Sequence, residues 1–323
     1  MALLVTGGEQ RRARPLAAAG GHWYKYSRGH LLAVDPVTES VATRISYESP
    51  ADAVAAEEPA ILFKQGTLAD GLMYLTTQTE VIVYSYPDLV VRHYISLPRF
   101  NDVHHVRPSA NGTLLVVNTG LDQLVELEYD GSVVREWNAL GGDPWARFDK
   151  SIDYRKVAST KPYESHPNHV FLLDDEVWLT RFKQKDAVSV GDPSRRIDIG
   201  VERVHDGVVY GDHIYFTAVN GTIVLADKET LEVVERIDLN GIGSGNAVLG
   251  WCRAVSPGDD GVWVGFSRLR ATTTRENVAW VKGGFRKSMP THIARYDLEK
   301  RTLEQRIELE DHHLNAVFSI FRT

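Results

Sequence analysis

Five short segments place polar, charged or aromatic side chains two residues apart: Asp102-Val-His104, His166-Pro-Asn168, Arg203-Val-His205, Trp251-Cys-Arg253 and His313-Leu-Asn315. Residues i and i+2 of an extended strand project from the same face, so each segment aims a pair of groups in one direction. If those directions converge, two chemistries are open. Neutral imidazoles from His104, His166, His205 and His313 could ligate one divalent metal such as Zn²⁺, with a water in an open position. Alternatively, a histidine could act as general base or nucleophile while Arg253, Asn168 and Asn315 stabilise developing negative charge. Any one of these histidines alone reads better as a core imidazole satisfied by a backbone carbonyl. Recurrence at matched positions is what points to a pocket.

Further groups fit the edge of such a pocket. Arg181 and Arg268 fall near the ends of strand-like runs, and with Arg270 they are expected to clamp a carboxylate, sulfate or phosphate, the oxyanions that a guanidinium fork matches. A salt bridge to a nearby carboxylate is the competing role for each. Trp251, with Trp23 and Trp280, could form an aromatic wall, although packing is an equal use of the indole. His105, His169 and His312 sit beside the paired positions and are expected to point into packing.

The elements that would have to hold these groups are strands. Period-two or β-branched runs bounded by turn residues recur along the chain, as in 113–120, 176–182, 213–221 and 261–268, and no helical period is sustained over three turns. Acidic turns recur between strands at Asp35, Asp88, Asp130, Asp192, Asp227 and Asp297. A second series of turns, at Asp70, Asn111, Asp174, Gly211 and Asp259, precedes the strands just named. A four-stranded repeat accounts for both series, with blades over 58–97, 102–138, 166–201, 204–240 and 250–309. The remaining blade takes its innermost strand from 313–321 and the other three from 2–47, so the two termini close the ring and leave no free sheet edge. The sequence predicts an all-β, six-bladed β-propeller occupying 1–323 as one domain. A pair of β-sandwiches would not predict the split blade.

About 54 residues per blade exceeds the compact propeller repeat of roughly 40–50, so loops hold the surplus. The long segments are 8–29, 139–165 and 269–290, all expected on the face where the innermost strands begin. Loops recurring on one face of a rigid scaffold are usually functional, and these are expected to form a lid. Charge is expected to segregate with them. Segment 8–29 carries a net +4, 268–290 a net +5, 139–165 a net +1 and 181–186 a net +2, against −7 for the chain. A basic mouth on an acidic body concentrates anions.

The net charge argues against a nucleic-acid binder. No apolar run reaches the roughly 20 residues that cross a bilayer. The four-residue apolar stretch near the N-terminus precedes its basic residues, contrary to a secretory signal, and Cys252 is the single cysteine. A cytoplasmic protein is expected. HExxH, CxxC, GxSxG, Walker A and EF-hand patterns are absent, and GIGSGN at 241–246 reads as a flexible turn.

The segments His166-Pro-Asn168 and His313-Leu-Asn315, each followed by an apolar run, together with the return Asp130-Gly-Ser-Val-Val-Arg-Glu-Trp137, resemble the bacterial arylsulfotransferase-like six-bladed propellers. That family uses channel histidines, asparagine and arginine on a sulfate ester, one histidine being the transient acceptor. The resemblance implies matching roles for His104, His166, His205, His313, Asn168, Asn315 and Arg253. The expected function is an enzyme acting on a small anionic organic molecule by acid–base, transfer or lyase chemistry, with one divalent metal as a possible cofactor. The alternative is a non-catalytic scaffold that holds an acidic protein or metabolite on its basic face.

Overall fold

The computed structural model describes residues 2–11, 26–57, 59–243, 248–269 and 289–323. Its strands form six antiparallel four-stranded sheets, arranged as a six-bladed β-propeller. Blade one orders Ala316–Arg322, Leu3–Gln10, Tyr26–Val34 and Val41–Tyr47 from the inside outward. The innermost strands of blades two to six are Gly66–Ala69, Val103–Pro108, Pro167–Leu173, Val204–Tyr210 and Trp251–Gly258. Blades two to six fall within the predicted spans, blade one runs one residue past its predicted C-terminal strand, and the split blade is real. Leu3 pairs with Arg322 and Thr6 with Ser319, after which the register shifts beside Gly7.

Alternation explains the layers. Middle strands such as Val81–Ser85 and Leu114–Asn118 are buried along their whole length, because neighbouring blades cover both faces. The outermost strand Val133–Asn138 has no buried residue, with Val133, Val134 and Arg135 exposed and the rest half-buried. Between blades, clusters such as Phe171, Trp178, Ile197, Ile214 and Phe216 fill the wedge from one sheet to the next.

The acidic turns have a direct cause. A carboxylate oxygen of Asp35, Asp130, Asp192, Asp227 and Asp297 accepts a hydrogen bond from a backbone N–H two or three residues on, at 2.7–3.1 Å. This is the Asx-type closure that makes Asp a turn residue. At the opposite face, the innermost strands open on a left-handed residue: φ is 50° at Asp102, 58° at His166, 61° at Arg203 and 62° at His313. A non-glycine residue there is uncommon, and its recurrence in four blades fixes how the polar pairs are aimed.

Candidate functional site

In four of the five polar segments the left-handed opening breaks the alternation, since i and i+2 share a face only in extended backbone. The third position of each segment turns inward: His104, Asn168, His205 and Asn315 are all buried. The first position goes where its own loop directs it. In blade three Asp102 is buried; in blade four the His166 ring stacks on Phe182 at 4.5 Å between centroids.

Three of the four candidate histidines therefore meet. The ring centroids of His104 and His166 lie 5.3 Å apart, those of His104 and His205 6.5 Å, and those of His166 and His205 6.3 Å. Phe182 and Tyr163 wall this triangle, at 5.6 Å from His205 and 5.1 Å from His166. His313 is not part of it. At φ 62° its side chain turns out to the surface, 73% exposed, with Nδ1 3.6 Å from a carboxylate oxygen of Glu9. Blade one presents Asn315 instead, whose Oδ1 accepts from the backbone N–H of Gln10 at 2.7 Å.

Protonation is set mainly by burial. Desolvation holds His104 down to about 3, and holds His166 and His205 well below the ordinary histidine range. For His205 the nearby Arg253 guanidinium is the next cause. All three imidazoles are neutral at pH 7. The Nδ1–H of His104 donates to the carbonyl of Asp102 at 2.9 Å, which leaves Nε2 as the basic nitrogen. The Nε2 atoms of His166 and His205 and the Oδ1 of Asn168 are buried with no hydrogen-bond partner among the described residues, while Asn168 Nδ2 donates to the carbonyl of Val204 at 2.8 Å.

Around the triangle lie groups that the sequence patterns did not single out as site residues. Asp102 forms a fully buried ion pair with Lys64 and accepts from the Tyr163 hydroxyl at 2.6 Å. Burial opposes ionisation of its carboxyl, but the Lys64 ammonium beside it holds that carboxyl well below the usual range. Gln65 Nε2 donates to Asp206 Oδ1 at 2.5 Å. Since blades two and five face each other across a ring of six, that bond crosses the axis. Lys64 and Gln65 are the polar pair in blade two's otherwise apolar ILFKQGT, which was the available signal. Tyr163 had none beyond its place in a long loop.

The arginines expected at the pocket, Arg253 to stabilise charge and Arg181, Arg268 and Arg270 as clamps, divide. Arg253 is buried, stacked over Phe318 and Trp251 at 5.1 and 5.7 Å, and its charge acts on His104, His166 and His205. Arg181 instead makes a two-pronged pair with the buried Asp186, at 2.8 and 2.6 Å, and bonds the carbonyl of Ala139. Arg268 pairs with Glu310 and Gln10. Both are committed within the protein, so their expected clamp role gives way to the competing salt bridge. Arg270, Trp23 and Trp280 lie outside the described residues, as do most of the cations of 8–29 and 268–290. Of the described cations expected at the rim, Arg28 and Lys185 are also ion-paired, with Glu48 and Glu202. The segment 139–165 does reach the site, through Tyr163.

Among the described residues, no three His, Cys, Asp or Glu side chains form a group that could hold a metal ion. The histidine triangle thus does not fit the Zn²⁺ arrangement, and His313 is too far outside to complete it. No described helix is long and apolar enough to cross a membrane.

No known protein family and no curated protein matches the chain. A solved structure of a Bacteroides caccae protein of unknown function is similar over 99% of this chain and 97% of that one, with 10% identity and a TM-score of 0.62. Virginiamycin B lyase from Staphylococcus aureus aligns over 93% of this chain and 84% of its own, at 13% identity and a TM-score of 0.48. The WD40 β-propeller domain of Doa1 aligns over 73% and 70%, at 12% identity and a TM-score of 0.48. At 10% identity the likeness to the Bacteroides caccae protein is one of fold.

Proposed function

We propose that the upper channel binds a small organic anion and transfers a proton to or from it, the general acid–base step of lyase chemistry. The observation that carries this reading is the triangle of neutral imidazoles, two with enclosed and unpartnered Nε2 atoms, beside a buried arginine. Arg253 would take the oxyanion of the substrate. A histidine held far below its ordinary range is a weak base, and Arg253 is part of the cause for His205. An anion on Arg253 offsets that charge and raises His205 toward the range where a general base works. Nε2 of His205 or His166 then accepts a proton from carbon beside the carboxylate, and Asn168 donates or accepts to orient the substrate. A positioned base of this kind contributes roughly 10²–10⁴-fold. Sulfate esters belong among the candidate anions because of the resemblance carried by His166-Pro-Asn168.

The test is a panel of small carboxylates and sulfate esters incubated with the protein in D₂O and followed by NMR. Deuterium incorporation or elimination is expected for at least one compound, reduced about 10²-fold or more in His166→Gln and His205→Gln. Anion binding that depends on Arg253 without exchange or turnover would favour the scaffold reading. Exchange unaffected by either histidine substitution would overturn the proposed chemistry.

A further inference from the structure

The channel has a second end. Below the Gln65–Asp206 bond, the far halves of the innermost strands surround a cavity of about 410 Å³. Its walls include Thr67, His105, Arg107, His169, Phe171 and Phe318. Volume and lining suit a small ligand, since such sites are mostly apolar concavities of roughly 300–1,000 Å³ with a few placed polar groups.

Of the four imidazole, guanidinium and carboxylate groups in the lining (His105, His169, Arg107 and Asp206), two are structural. The Nε2–H of His105 donates to the carbonyl of Gly66 at 3.2 Å, and its Nδ1 accepts from the N–H of Val170 at 3.2 Å, so both nitrogens are used. Asp206, the one carboxylate in the lining, gives its oxygens to Gln65 and Thr217. The other two polar groups are not satisfied in this way. His169 stacks face to face on His105 at 3.8 Å and is 8% exposed, yet its Nδ1 is buried with no hydrogen-bond partner among the described residues. Arg107 is partly buried and forms no ion pair among the described residues. Its one hydrogen bond there is a weak 3.4 Å contact from Nε to the carbonyl of Pro108. Burial pushes its pKa down to about 10, with no neighbouring carboxylate opposing that shift. A guanidinium in that position loses water without gaining a counter-charge, and a buried charge is normally paired.

The structure assigns this lower mouth as a second binding site, for a small organic carboxylate or phosphate whose oxyanion pairs with Arg107 and whose apolar body lies against Phe171 and Phe318, with His169 as a hydrogen-bonding partner. This site is distinct from the upper pocket, because the Gln65–Asp206 bond stands between them and neither the upper imidazoles nor Arg253 line it, although the Phe318 ring is common to both, lying against Arg253 as well.

Benzoate and phenyl phosphate serve as probes, with benzamide as the neutral control, in calorimetric and ligand-observed NMR titrations of the intact protein. Benzoate or phenyl phosphate is expected to bind and benzamide to bind at least about tenfold more weakly, the scale of a lost charge-assisted pair. Arg107→Gln should weaken the anion by at least about the same factor, and Arg107→Lys by less, because the charge remains but the fork is lost. Val209→Trp, at an exposed lining residue, should block the mouth without touching the arginine, which preserves the test if Arg107→Gln does not fold. Arg253→Gln should leave this binding unchanged. Binding that is lost in Arg253→Gln and retained in Arg107→Gln would move the anion to the upper pocket and overturn the assignment. Failure of both anions to bind, or equal binding of benzamide, would overturn it too.

Discussion

Arg181 and Arg253 are both strand arginines near the channel mouth, the one expected as a clamp and the other as a charge stabiliser, and their surroundings separate them. Arg181 spends both prongs on Asp186, which is fully buried. Removing one partner of such a pair strands the other in low dielectric, at a cost of about 3–5 kcal/mol. Arg181→Gln should therefore lower the urea midpoint sharply while leaving anion binding in the refolded protein intact. Arg253 has aromatic rings over its guanidinium, so Arg253→Gln should abolish anion binding in the upper pocket with a much smaller loss of stability. Paired denaturation and titration curves check the contrast, and equal stability losses would erase it. Residue types at this scale were legible: the histidines, Asn168 and Arg253 stood out by spacing alone. Their directions were less so: His166 and His313 open their strands at nearly the same φ, 58° and 62°, yet His166 stays with the cluster while His313 lies at the surface beside Glu9, and neither segment announces the difference.

At the scale of elements, the strands and their order were legible because inner and outer strands differ in alternation and because Asp closes the turns. Irregular joints were not. The split blade depends on one such joint, where the register between Leu3–Gln10 and Ala316–Arg322 shifts beside Gly7. A Cβ on Gly7 would lie 1.7 Å from the carbonyl oxygen of Ala316 and 2.9 Å from Leu314. Gly7→Ala should force the closing strands apart at that point and cost at least the roughly 1–3 kcal/mol of an overpacked core. Gly112 is the comparison. It has φ 78° with open space around it, so Gly112→Ala should cost about 1 kcal/mol through backbone strain alone. Urea denaturation of the two variants gives the ranking, and a Gly7 variant no weaker than the Gly112 variant would show that closure does not rest on this contact.

For the molecule as a whole, the buried imidazoles make stability depend on pH with a definite sign. Burial lowers the pKa of His30, His104, His105, His166, His169, His205 and His292, with His104 and His105 at about 3 and His292 at about 4. Between those values and the ordinary 6.5, the unfolded chain binds protons that the folded one refuses, so stability falls as pH falls through that window. Asp206 works the other way: burial raises it to about 6, and the folded state binds its proton first between 6 and 3.8. One carboxyl against seven imidazoles does not decide the balance. From pH 7.5 to 5.0 each histidine that stays neutral costs about 2 kcal/mol and Asp206 returns about 1.4 kcal/mol, so a single such histidine already outweighs it. Asp102, held low beside Lys64, loses its contribution below the ordinary carboxylate range and lies outside this interval. The urea midpoint should fall on going from pH 7.5 to 5.0, and substituting the stacked pair together, His105→Gln with His169→Gln, should flatten that fall even if it lowers stability at pH 7.5. A midpoint that holds or rises at pH 5.0 would mean that the channel admits protons to these rings in the folded state, and with them the water that a buried acid–base site must exclude.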